Sequence, residues 1–113
     1  MRAASTLLVV FGMAISSAWG QETDDVRDGH KLAAIVCSVC HVAADDQSAM
    51  PIMKPPAPSF ESIAQRKDIT ADSLAKFLTT THRDLKTQKG MPNPDLADFQ
   101  VKQAAAYILS LRK

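Results

Sequence analysis

Cys37-Ser38-Val39-Cys40-His41 is the stretch whose reading decides how this chain folds, and it holds the only two cysteines among 113 residues. Two thiols three residues apart lie on one face of a helical turn. There they can add to the two vinyl groups along one edge of a porphyrin. The adjacent imidazole is then carried beneath the iron, where its neutral nitrogen is a good donor. C-x-x-C-H is the sequence form of this covalent haem attachment. A bare C-x-x-C also serves as a disulfide, a redox dithiol or half of a zinc site. Zinc needs two further ligands, and besides carboxylates the chain offers only His30, His41 and His82. None of these makes a second paired cluster. A thioredoxin-like dithiol wants a strand before it and an alternating βαβ pattern after it, and neither is visible. The stretch therefore reads as the anchor of one covalent haem c.

The N-terminus reads as a secretory signal. Arg2 supplies a positive start, Leu7-Leu8-Val9-Val10-Phe11 opens an apolar run through Ile15, and Ala18-Trp19-Gly20 puts small residues where a signal peptidase reads. Cleavage is expected after Gly20, with residues 1–20 as signal and 21–113 as one domain. The competing reading is an uncleaved anchor, but the apolar run is short for a spanning helix and lacks stop-transfer charges. A mitochondrial transit segment would be richer in arginine. The expected location is therefore the periplasm, with no stable membrane insertion after cleavage. The formal charge is +1 over the whole chain, and losing Arg2 leaves the remainder near neutral. Without a basic excess, and with aromatics at 5%, the composition excludes a nucleic-acid platform.

A domain this small struggles to bury enough apolar surface unaided, and a buried haem supplies the missing core. The patterning is all α, without internal repeat or strand signal. A first helix is expected from about Asp24 or Asp25 through the motif, with Leu32, Ile35 and Val36 at helical spacing. Gly29 falls inside it, at a cost of about 1 kcal/mol against alanine unless a tight helix crossing requires it. Pro51, Pro55, Pro56 and Pro58 make Ala43 to Pro58 a loop. Ser59 caps a short helix with Phe60, Ile63 and Ala64 on one face. Thr70 caps a third helix reaching about Thr81, with Leu74, Phe77 and Leu78 inward. Lys86 to Pro94 is a second loop. A last helix, from about Asp95 or Ala97 to Leu111, buries Val101, Ala104, Ala105, Ile108 and Leu111.

Iron held by one histidine keeps an open position, and a methionine opposite fills it and raises the potential. Beyond the signal the chain offers Met50, Met53 and Met91. Met91 lies in Lys89-Gly90-Met91-Pro92, a loop between two helices and far along the chain from His41. There the backbone can fold back over the opposite haem face, and a thioether suits iron that cycles between two charge states. The alternative role for Met91 is to fill a core gap.

The order C-x-x-C-H, proline-rich loop, short helices, Gly-Met-Pro loop and a final helix bearing Ala106-Tyr107-Ile108-Leu109-Ser110-Leu111 resembles class I cytochromes c, most closely small bacterial monohaem members. The likeness runs from about Gly29 to Leu111. It implies a small cytochrome c fold, with helices packed around one covalently bound haem. It also implies Cys37 and Cys40 as thioether anchors, His41 as proximal ligand and Met91 as distal ligand. The family carries a glycine eight positions before the first cysteine, where the first and last helices cross, and Gly29 holds that position. Tyr107 resembles the aromatic that packs at the same crossing, while Ala33 stands where many relatives have an aromatic. Pro58 resembles the loop proline whose carbonyl accepts the proximal histidine's N–H, with Pro55 and Pro56 as alternatives.

Two features depart from the family pattern. Ala97 replaces the Ser or Thr that caps the last helix in many relatives, so its start is expected to shift to Asn93 or Asp95. Met50-Pro51-Ile52-Met53 is insertion-like and puts two thioethers near the haem, as apolar cover. His30 is expected at the surface or in helix packing, and His82 at the end of the third helix, where its imidazolium suits the dipole. Arg83, Lys86 and Lys89 form a basic run, readable as a solvated loop or as a docking rim for acidic partners. With no evident catalytic acid, base or nucleophile, the expected function is a soluble one-electron carrier rather than an enzyme. It would meet transient redox proteins as donor and acceptor. A haem subunit of a larger periplasmic dehydrogenase, and a five-coordinate ligand-binding or peroxidatic haem, are the alternatives.

Overall fold

The computed structural model describes residues 23–82 and 90–113. The signal at 1–20 and the basic run of Arg83, Lys86 and Lys89 lie outside the described residues. Among the described residues four helices follow in order: α1 (Asp24–Val36), α2 (Phe60–Ala64), α3 (Ala71–Leu78) and α4 (Asp98–Ser110), with a 3-10 turn at Cys37–Val39 directly after α1. Among the described residues the only ladder contact is an isolated bridge between His41 and Ala57. No helix there is long and apolar enough to cross a membrane.

Local chemistry explains the helix ends. The Thr23 hydroxyl accepts from the Val26 N–H at 3.3 Å, and Asp24 and Asp25 face the positive end of the α1 dipole. Ser59 accepts from the Ser62 N–H at 3.1 Å, so the expected cap of α2 is present. Thr70 and Ser73 exchange bonds of 3.0 and 2.8 Å, a full capping box. α3 stops at Leu78, short of the expected Thr81. There the Thr79 and Thr80 hydroxyls bond back to the Ala75 and Lys76 carbonyls at 2.9 and 3.0 Å, offering the backbone a way out of the helix. α4 starts after Ala97, not at Asn93 or Asp95. Gln100 Oε1 accepts from the Ala97 N–H at 3.0 Å, half of a capping box, which suffices without a side-chain acceptor at Ala97.

α4 is the helix on which the others pack, most extensively α1 and then α3 and α2. At the α1–α4 crossing the buried α1 residues are Gly29 and Ala33, rather than the larger ones. A Cβ on Gly29 would stand 2.0 Å from the Gln103 carbonyl oxygen and 2.8 Å from Tyr107 Cβ, so only glycine fits. Small residues let the backbones meet and turn the bulky ones elsewhere. Ile35 faces solvent, Val36 is exposed toward the cavity described below, and of the expected apolar trio only Leu32 packs inward. Phe77 likewise leaves the core for that cavity's wall, while Leu74 and Leu78 are buried as expected.

Among the described residues, half of the buried hydrophobic side chains are alanines: Ala33, Ala43, Ala44, Ala64, Ala104 and Ala105. The larger ones are Phe60, Leu74, Leu78, Val101, Tyr107 and Ile108. The polypeptide thus supplies a thin core of its own. Arg112 closes the far end by donating to the Ala64, Arg66 and Ile69 carbonyls at 2.8, 3.1 and 2.8 Å.

Candidate functional site

The motif does not continue α1 as regular helix. The Cys37 carbonyl accepts from both the Cys40 and His41 N–H groups at 3.1 and 2.9 Å, which tightens the last turn. The nearly fully buried Ser38 points its hydroxyl back to the Ile35 carbonyl. Cys37, Cys40 and His41 thereby border one cavity of about 600 Å³, walled mainly by Val36, Phe60, Ile63, Leu74, Phe77 and Ile108.

The proline-rich loop is threaded back along the motif by backbone bonds. The N–H groups of Ile52, Ala57 and Phe60 donate to the carbonyls of Val39, Cys40 and Val42 at 2.9, 2.9 and 3.0 Å. That register brings the Pro58 carbonyl to 2.6 Å from His41 Nδ1. A carbonyl can only accept, so Nδ1 carries the proton in this bond and the neutral ring keeps its lone pair on Nε2. Neither Pro55 nor Pro56 makes that contact. The Phe60 ring lies 5.3 Å from the imidazole and braces it.

Gln47, with no motif to announce it, organises the same loop. Its Oε1 accepts from the Ala43 and Ala44 N–H groups at 2.7 and 3.1 Å, and its Nε2 donates to the His41 and Ala49 carbonyls at 3.3 and 2.8 Å. A glutamine in a polar loop carries no periodicity, so sequence reasoning passes over it.

Met91 lines the cavity with Gly90 and Pro92, and it packs against Leu78, Val101 and Ala104. Gly90 has φ 94°, a conformation that costs a residue with a Cβ. The loop is clipped to the end of α3. The Met91 carbonyl accepts from the His82 N–H at 2.9 Å, and Asn93 Nδ2 donates to the Thr79 carbonyl at 3.2 Å. Asn93 Oδ1 also accepts from the Asp95 N–H at 2.9 Å. Asn93 is a second residue that the sequence does not announce.

The remaining histidines and methionines separate clearly. His30 Nε2 pairs with Asp46 at 2.7 Å, and its ring lies 5.2 Å from that of Tyr107, whose hydroxyl donates to the Ala43 carbonyl at 2.9 Å. His82 lies beyond the end of α3, stacked on Phe77 at 3.9 Å with Nε2 2.7 Å from the Thr80 hydroxyl. Met53 is on the cavity wall, whereas Met50 is not and stands exposed, so only one of that pair covers the site.

The donor chemistry fits a haem and not the rival sites. Burial, and then the neighbouring Cys40, push the Cys37 thiol up to about 11, far from the low value of a reactive dithiol. Among the described residues no three His, Cys, Asp or Glu side chains gather as a metal cage. Val36, Met53 and Phe77 all expose apolar surface to a cavity with few polar groups, which a flat apolar ring would cover.

The cytochrome c family model matches residues 26–112. Cytochrome c-552 of Bradyrhizobium diazoefficiens is 34% identical over 106 residues, covering 94% of this chain and 92% of that protein. No solved structure matches the chain. The match spans all four helices, the attachment motif and the Met91 loop, and the chain belongs to the cytochrome c family as a class I monohaem member with one covalent haem c.

Proposed function

We propose that the chain is an exported, periplasmic one-electron carrier. Cys37 and Cys40 are its thioether anchors, and His41 and Met91 its two axial ligands. The observation that carries this reading is the tethering of His41 and Met91 at one cavity from distant parts of the chain. His41 is held through Nδ1 to the Pro58 carbonyl, and Met91 through its own carbonyl to the His82 N–H. The haem supplies one-electron exchange between ferrous and ferric iron. The protein's part is to keep its surroundings unchanged between the two states. Pro58 fixes the imidazole orientation and keeps Nε2 free to ligate, while the apolar wall excludes water. With His41 and Met91 both holding the iron, no position would be left open for a substrate, which is the physical basis for a carrier rather than an enzyme.

The holoprotein, made in a host that attaches haem c, is expected to be low-spin, with the weak sulfur-to-iron band when ferric and no ready binding of carbon monoxide when ferrous. Met91→Ala should abolish that band and lower the midpoint potential by on the order of 0.1 V or more, within the ~0.8 V that axial ligation spans. An unchanged band in this variant would remove Met91 from the iron. Ready carbon monoxide binding by the native ferrous protein would mean an open site, and the carrier reading would fail. Removal of the signal is checked by N-terminal sequencing, with Gln21 expected first.

Asn93→Ala should loosen the Met91 loop without touching the iron. Losing its two side-chain bonds costs about 1–2 kcal/mol of loop closure, roughly tenfold in the fraction of protein with Met91 displaced. Titrating the ferrous variant with carbon monoxide reads this directly. An affinity equal to the parent's would show that the clip does not govern the ligand.

A further inference from the structure

Two side chains able to bind iron start from neighbouring points of the backbone on the Met91 side of the cavity. The His82 N–H donates to the Met91 carbonyl at 2.9 Å, so the imidazole and the thioether are rooted together. His30 does not compete, because Asp46 and the Tyr107 ring engage it at the α1–α4 crossing. A thioether is a soft donor, and imidazole suits ferric iron at least as well. A chain that presents both must hold one of them back.

The His82 ring is held twice. It stacks on Phe77, with centroids 3.9 Å apart and planes within 7° of parallel. Phe77 lines the cavity and His82 does not, so the imidazole is kept one ring's spacing from the wall. The second restraint is the Thr80 hydroxyl, 2.7 Å from Nε2. That hydroxyl gives its one proton to the Lys76 or Phe77 carbonyl, at 3.0 or 3.3 Å, and so accepts from Nε2–H. Nε2 then has no lone pair to offer. Nδ1 has one, but it lies beside the ring's own attachment to the chain and is the more hindered nitrogen. Met91, in contrast, lines the cavity directly, packed against Leu78, Val101 and Ala104.

We propose that Phe77 and Thr80 are positioning residues that select Met91 over His82 as the distal ligand, by holding the imidazole away from the iron. The proposal rests on the ligand reading above. The step they prevent is a plain exchange. One iron–sulfur bond breaks, one iron–nitrogen bond forms, the iron keeps its charge, and the Nε2 proton moves to Nδ1 through solvent. The restraint matters most in the ferric state, and a centre with two imidazoles would lose the high potential that a thioether confers.

The test is the sulfur-to-iron band of the ferric holoprotein together with its electron paramagnetic resonance spectrum, which separates imidazole–thioether from bis-imidazole ligation. Each restraint is worth about a tenfold shift in the ligand ratio. Phe77→Leu with Thr80→Val removes both and keeps an apolar wall. This double variant should lose at least half of the band, gain the bis-imidazole signal and show a lower midpoint potential. Adding His82→Gln, which leaves the backbone N–H on Met91, should restore the band, and Phe77→Tyr alone should keep it whole. A double variant with the full band overturns the proposal. So does a triple variant still lacking the band, since Met91 was then lost to a loosened loop and not to His82. Thr80→Val by itself leaves the wall intact and should lose about a tenth of the band, the share that a tenfold shift displaces. An undiminished band there, with no bis-imidazole signal, overturns the proposal even where the double variant fails to hold haem. A parent protein without the band counts against Met91 as ligand; a parent with it, followed by any of these failures, counts against the selection alone.

Discussion

Gly29→Ala should destabilise the holoprotein by about 3 kcal/mol, although alanine is the better helix former. The intrinsic gain is at most about 1 kcal/mol. Against it stands a methyl group 2.0 Å from the Gln103 carbonyl oxygen, 2.6 Å from its carbon and 2.8 Å from Tyr107 Cβ. Two of these atoms are backbone and the third is fixed to it, so no side chain can rotate away. The helices must separate, which opens the Ala33 contact and pulls on the Tyr107 hydroxyl's bond to Ala43. Overpacking of this kind costs about 1–3 kcal/mol and more where the backbone has to move. For a domain of this size that lowers the melting midpoint by roughly 10–20 °C. Thermal unfolding followed by circular dichroism checks it, and a midpoint equal to or above the parent's would contradict the close crossing.

Cys37→Ser with Cys40→Ser, purified without added haem, should be largely unfolded. The cavity beside the motif measures about 600 Å³, and Val36, Met53 and Phe77 on its wall are open to water. Without the ring, each Å² of apolar wall it would have covered stays wet at a cost of about 25 cal/mol. Several kcal/mol lost in this way is a large part of the net stability of an ordinary domain, about 5–15 kcal/mol. The alanine-rich core cannot offset it, and Val36, Phe60, Leu74 and Phe77 would lose their common partner. Helical ellipticity below about half of the holoprotein's, without a cooperative melt, is expected. A cooperative transition with near-parental helix content would show that the polypeptide folds without its cofactor.

What was legible in the chain, and what was not, divides by the range of the interactions. Ser59 and Thr70 identify helix starts because a cap needs only a hydroxyl and an N–H two or three residues on. Gly29 signalled a crossing because its cost within a helix demanded a reason, yet its partner Gln103 lies far along the chain. Val36 and Phe77 share the spacing of core residues, and periodicity cannot tell a protein core from a wall that faces a cofactor, while Ile35 on the same spacing faces solvent. Gln47 and Arg112 were not legible at all, and Asn93 was legible only as a candidate helix start, not as the clip of the Met91 loop. Each works through backbone groups brought near by the fold, and a polar side chain in a loop or at a terminus has no pattern. The departure at Ala97 was visible, but its outcome depended on Gln100 reaching back to bond the vacant N–H.

By itself the sequence determined the cofactor and the family. Two cysteines three apart with an adjacent histidine are covalent chemistry confined to one turn, and one turn is local. The tertiary structure alone decided which proline carbonyl meets His41, what clips the Met91 loop, and that the surface beside the cysteines is apolar. Each of these depends on residues 9 to 17 positions apart meeting in register, and that register is set by packing, not by any short stretch of chain.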